Sequence, residues 1–174
     1  MTTEQLRHRM PPILKALKER SLRGRTPVEG LRRTECAYHG WDTVHADAAS
    51  WEPFAPGDAF GGLEAHHCFK GTVTLPEASA GKRVVCLVST GASDIWNNNN
   101  PQFLAYVDGR LVCGLDVNHN EFDLAACAVP GESHELALYV YCNTPARDVF
   151  LRVETAERDD DVTGLYYDLR APYK

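Results

Sequence analysis

From residue 65 onward, apolar and polar positions alternate along the chain with a period of two. The runs are short and end at clusters of Gly, Pro, Asn or Asp, which is the pattern of half-buried strands. His66 to Leu75 alternates and stops at Pro76, and Lys82 to Thr90 is a Val-rich run. Phe103–Val107 and Arg110–Leu115 flank Asp108-Gly109. That dipeptide predicts a tight hairpin, because both central residues of a type I′ turn need positive φ. The returning strand puts Leu111, Cys113 and Leu115 on one face. Ala125–Val129 is a short apolar piece before the Pro130-Gly131 turn. His134–Cys142 alternates cleanly, with Leu136, Leu138, Val140 and Cys142 facing inward. Val149–Thr155 and Val162–Leu169 read as two further strands separated by an acidic turn, Glu157–Asp161. The expected class is mainly β, a jelly-roll or galactose-binding-like β-sandwich of about eight antiparallel strands.

The beginning of the chain breaks this pattern. Leu6, Met10, Leu14 and Leu17 recur at helical spacing, with Arg7, Lys15, Lys18 and Arg20 on the opposite face. Pro11 and Pro12 either kink this helix or open a second one. Residues 21–30, rich in Arg, Gly and Pro, read as a linker or an extended arm. The expected division is therefore a helical arm with its linker over 1–30 and a β-sandwich over 31–174. Thr34–His39 is a candidate strand, and Gly40–Ser50 reads as irregular. Trp51–Gly62 has too many prolines and glycines for a regular element, and Trp51, Phe54, Phe60 and Phe69 are its expected anchors. Gly91–Asn100 is a loop carrying Trp96 and four consecutive asparagines.

Composition narrows the function classes. The chain has 174 residues, 44% of them hydrophobic, which suits one domain with a core of its own. The net charge of −6 comes with no basic stripe, which argues against a nucleic-acid partner. No apolar run reaches the roughly 18 residues of a membrane span. Six cysteines occur without a CxxC pair or zinc-ribbon spacing. Cys86 and Cys142 share strand faces with aliphatic residues and read as buried free thiols. The N-terminus lacks a secretory signal, so a cytoplasmic location is expected.

Candidate chemistry is sparse. His66 and His67 are adjacent and point to opposite faces of a strand, so they do not share one metal ion with His119. Asp58, Asp116, Asn118 and Glu121 are hard oxygen ligands suited to a structural calcium, if several loops bring them together. Glu64, Asp58, Asp108, Asp116 and Asp123 are the carboxylates available for glycoside chemistry, with Asp108 better spent on its turn. No nucleophile-elbow, Walker or dinucleotide pattern is present. No catalytic residue, metal ligand or cofactor is assigned to the chain on these grounds.

The ordered blocks FAPGDAFGG, HHCFKGTVTLPE, GKRVVCLVSTG, PQFLAYVDGRLVCGLDVNHNEFDL, PGESHELALYVYCN and GLYYDL, from about Trp51 to Leu169, resemble the N-terminal β-domain of α-mannosidases of glycoside hydrolase family thirty-eight. The chain departs from that family at Phe60, Cys68 and Lys70, where Trp, Trp and Arg are common. The resemblance implies a zinc-dependent retaining mannosidase whose zinc ligands and catalytic carboxylates lie in a barrel following Lys174. This chain would then be a non-catalytic domain, inactive alone. Its partners would be that barrel, mannose-containing glycans, or further copies in a homo-oligomer. The expected interdomain or sugar-contact residues are Asp58, Asp116, Asn118, His119 and Trp96. Asp116 and Asn118 equally suit capping of the hairpin end through local backbone amides. The rival expectation is an autonomous carbohydrate-binding module with Trp96 and Trp51 as its aromatic platform. A small enzyme using Asp116 or His119 is the third.

Overall fold

The computed structural model describes residues 3–90, 101–117 and 119–172. The expected β-sandwich is present. Ten strands form two antiparallel sheets: β1 (Leu22–Pro27), β2 (Arg32–Glu35), β3 (Glu52–Pro53), β4 (Ala59–Thr74), β5 (Arg83–Ser89), β6 (Gln102–Val107), β7 (Arg110–Leu115), β8 (Glu121–Ala125), β9 (Ser133–Phe150) and β10 (Arg152–Arg158). One sheet runs β1-β10-β5-β8 and the other β3-β2-β4-β9-β6-β7. Helices α1 (Thr3–Arg20), α2 (Trp41–His45) and α3 (Asp160–Arg170) complete the described residues, with a short 3₁₀ turn at Glu77–Ser79.

Strand alternation builds the core between the sheets. Leu136, Leu138, Val140 and Cys142 of β9 are fully buried, and they face Val84, Cys86 and Val88 of β5 and Val153 of β10 in one cluster. Phe54, Phe60 and Phe69 pack edge to face at its centre, with ring centroids 4.9–6.3 Å apart. The predicted turn is realised: Asp108 and Gly109 have φ of 50° and 74°. Asp108 also accepts from the Glu135 amide and pairs with His134 at 2.9 Å, tying the turn to β9. A bulge between the Ala105 and Tyr106 pairings breaks the expected face of β7. Leu115 is buried, whereas Leu111 is exposed.

Several expectations are corrected. Residues 162–169 form α3, not a strand. Asp159 caps this helix by accepting from the Val162 amide at 3.0 Å, and Asp160 and Asp161 suit its positive N-terminus. The supposed linker contains β1, which pairs with β10. Residues 40–50 contain α2. One continuous helix passes through Pro11 and Pro12, and it packs against α3. No helix among the described residues is long and apolar enough to cross a membrane.

Two features of the six-stranded sheet shape its outer face. First, Ala137 and Tyr139 of β9 alternate away from the main core and join Val44, Trp51, Cys68 and Tyr106 in a second buried cluster. The segment 36–51 covers this part of the sheet. Second, β4 loses register with β9 between Phe60 and Gly62 and again between Gly62 and Ala65. Gly61 and Gly62 have φ of 132° and 128°, and Glu64 follows at 55°. These bulges swing Leu63 and Glu64 out of the ladder.

Candidate functional site

The outer face of the six-stranded sheet carries an open cleft of about 770 Å³ beside the covering segment. Its floor follows from strand register. His66 pairs with Tyr141 and Tyr141 with Gln102, while Tyr139 pairs with Leu104 on the next row of the same face. Each tyrosine alternates with an aliphatic core residue, so burying Leu138, Val140 and Cys142 on one side presents Tyr139 and Tyr141 on the other. The walls are Tyr38 and His39, Glu64 from the bulge, and Asp116 at the end of β7.

Hydrogen bonds fix the polar groups. The Tyr139 hydroxyl lies 2.7 Å from His66 Nδ1 and accepts from the His39 amide at 3.3 Å. The Tyr141 hydroxyl donates to Glu64 Oε1 at 3.1 Å. Burial, followed by the Glu64 carboxylate, pushes the Tyr141 phenol above its ordinary pKa and keeps it a donor. Burial raises Tyr139 likewise. The His66 ring stacks near Tyr139 and Tyr141, at centroid distances of 5.8 and 5.2 Å, and Tyr38 meets it edge-on at 5.7 Å. Tyr38 is 71% exposed, leaving a ring face open to a ligand. The loop carrying Tyr38 is held close because Gly40, at φ 53°, rests against the Tyr139 ring; a Cβ there would come within 2.5 Å of Cδ2.

The sequence-predicted residues fare unevenly. Asp116 lines the cleft, and its Oδ1 also accepts from the His119 amide at 2.8 Å, which is the local capping role. His119 sits at the exposed tip and meets Asp116 at 3.3 Å. Asp58 closes its own turn by accepting from the Ala55 amide at 2.7 Å, outside the cleft. The loop Phe54–Gly57 instead borders a second groove with Val28, Leu31 and Phe150. Asn118 and Trp96 lie outside the described residues. Trp51 is buried under α2, so it offers no exposed platform.

His66 and His67 do face opposite ways. His67 is 1% exposed, packs edge-on to Phe60 and spans the bulge to the Gly61 carbonyl at 3.2 Å. Among the described residues no cluster of His, Cys, Asp and Glu is arranged to hold a metal ion. Sequence reasoning missed Tyr38, Tyr139, Tyr141 and Gln102. The available signal was the placement of tyrosines between inward aliphatics in β9.

No family model matches the sequence, and no curated protein does. Solved structures match the fold. A β-glucuronidase from Bacteroides uniformis aligns with a TM-score of 0.57 at 11% identity, covering 77% of this chain and 18% of that one. A β-glucuronidase from Ruminococcus gnavus aligns at 0.55 and 8% identity, covering 77% and 28%. One from an uncultured Clostridium aligns at 0.52 and 8%, covering 78% and 29%. The chain thus spans between 18% and 29% of these enzymes' length. The likeness is to the β-sandwich portion of β-glucuronidases, and this overturns the resemblance to family thirty-eight α-mannosidases. Most of the ordered blocks lie in strands and turns, and GLYYDL lies in α3.

Proposed function

We propose that this chain is a non-catalytic β-sandwich domain of the kind found within glycoside hydrolases, and that the outer cleft of its six-stranded sheet contacts carbohydrate. The cleft carries this reading. It joins open aromatic faces at Tyr38 and Tyr141 to hydrogen-bonding groups at Glu64, His66, Gln102 and Asp116. A sugar ring needs both: apolar C–H faces to stack on aromatics, and hydroxyls to meet oriented donors and acceptors. The fold likeness to β-glucuronidases supports the domain class.

Calorimetric titration with a panel of monosaccharides and disaccharides tests the proposal. Binding at about millimolar Kd or tighter, near 4 kcal/mol, is the expected result. Tyr141→Ala should weaken it at least tenfold without unfolding the protein. Aryl glycosides should not be turned over by this chain. Absence of binding across the panel, or binding indifferent to Tyr141→Ala, would refute the cleft as the contact surface.

A further inference from the structure

The cleft's charge inventory narrows the sugar. We infer that it selects a sugar bearing a free, protonated amine, with Glu64 as the acceptor of that amine. This rests on the reading of the cleft as a carbohydrate site.

The lining contains two carboxylates, Glu64 and Asp116, and neither a lysine nor an arginine among the described residues. Several acids elsewhere on this protein meet cations. Glu52 pairs with Arg33, Glu154 with Arg25, Glu157 with Lys82, Asp123 with Arg83, Glu121 with Arg158 and Glu135 with Lys70. Glu64 has no such ion pair among the described residues, and the hydrogen bond it receives there is from the neutral Tyr141 hydroxyl. An accepted hydrogen bond orients this exposed carboxylate, and no lysine or arginine of the cleft lining meets its charge.

The backbone points the same way. Glu64 is a non-glycine residue at φ 55°, within the second loss of register in β4, between Gly62 and Ala65. Such a conformation is held at a cost, and it turns this side chain toward the cleft. The faces around it suit a cation as well. Tyr38 and Tyr141 present ring quadrupoles that attract positive charge. A uronic acid would instead bring its carboxylate against Glu64 in a cleft whose lining holds no lysine or arginine, so this cleft is opposite in sign to a glucuronate site. A quaternary ammonium lacks the N–H groups that a carboxylate and tyrosine hydroxyls would satisfy, and the Gln102 amide adds a partner for ring hydroxyls. An aminohexose meets all of these groups.

Glucosamine, glucose, N-acetylglucosamine, glucuronate and, as a sugar-free amine, lysine methylamide are titrated against the full chain at neutral pH. The expected result is glucosamine about tenfold tighter than glucose, the increment of one charge-assisted hydrogen bond. N-Acetylglucosamine, whose nitrogen is neutral, should fall to the glucose level, and glucuronate should be weakest. Glu64→Gln keeps an acceptor for Tyr141 and removes the charge. It should leave the thermal midpoint in place and erase the preference. Equal affinity for glucose and glucosamine would overturn the amine inference while leaving a sugar cleft. Lysine methylamide binding as tightly as glucosamine would overturn the sugar's part in it. Silence from every sugar would overturn both readings.

Discussion

Replacing Gly61 by alanine attacks the bulge that delivers Glu64 to the cleft. At φ 132° the backbone lies where side chains are rarely tolerated, a conformation that costs about 1–3 kcal/mol for a residue with a Cβ. The added Cβ would also stand 2.6 Å from the Ala146 carbonyl oxygen and 3.3 Å from Arg147 Cα. Both neighbours are backbone of β9, so relief requires the two longest strands to move apart, an overpacking of about 1–3 kcal/mol. Gly81 is the internal control: its φ is 70°, and an added Cβ meets nothing within 4 Å. Gly81→Ala should therefore cost only the left-handed conformation, about 1–2 kcal/mol. Gly61→Ala should cost both, about 2–6 kcal/mol, and the midpoint should drop by about 4–24 °C for a chain of this size. Urea unfolding of both variants at one pH measures the difference. Losses equal within about 0.5 kcal/mol would show that β4 is not pressed against β9 at the bulge, and the account of how Glu64 is placed would fail.

Four other outcomes are expected. Tyr139→Phe removes the hydroxyl shared by His66 and the His39 amide; it should cost about 1–2 kcal/mol and weaken sugar binding, as read by parallel unfolding and titration. Phe69→Ala empties a fully buried site between Phe54 and Phe60 and should cost about 3–5 kcal/mol in denaturant unfolding. Two histidines should bend the pH profile of stability in opposite directions. Burial holds His67 below the ordinary 6.5, so the unfolded chain takes up its proton first and stability should fall as pH drops below about 6.5. His67→Gln should flatten that limb. The His45 nitrogens face the Trp41 and Gly109 carbonyls at 2.8 and 2.9 Å, which raises its pKa. Its contribution is complete below the unfolded value and disappears as pH climbs through the raised one, and His45→Gln should remove that decline. In native labelling, exposed Cys127 should react first. Cys86 and Cys142, fully buried and pushed up to about 12 and about 11, should react only on unfolding.

The sandwich was legible because its strands alternate and its turns carry the residues that turns require. Asp108-Gly109 and the inward row of β9 appear in the structure as the pattern implied. What misled the reading was local ambiguity. Glu157–Asp161 was read as an acidic turn, but Asp159 caps a helix that packs against α1. The glycines of β4 looked like a loop. They are bulges inside a long strand, which only pairing with β9 reveals. The cleft was less visible still. Its residues come from the loop at 38–39, from β4, β6, β7 and β9, and register alone brings them together. Asp116 was singled out for its place at a hairpin end and does line the site. Tyr139 and Tyr141 were passed over because a strand that buries one face gives no sign of what its other face holds. The family resemblance failed because most of its blocks are strand and turn residues, which report fold, and its last block, GLYYDL, is helical here.

The most direct test of the central claim is a backbone and side-chain NMR titration of the full chain with glucosamine and glucose. The account predicts saturable shifts concentrated at Tyr38, Glu64, His66, Gln102, Tyr139 and Tyr141, with the groove beside Phe54 and Phe150 unmoved. Shifts confined to that second groove, or none at concentrations well above about millimolar, would contradict it.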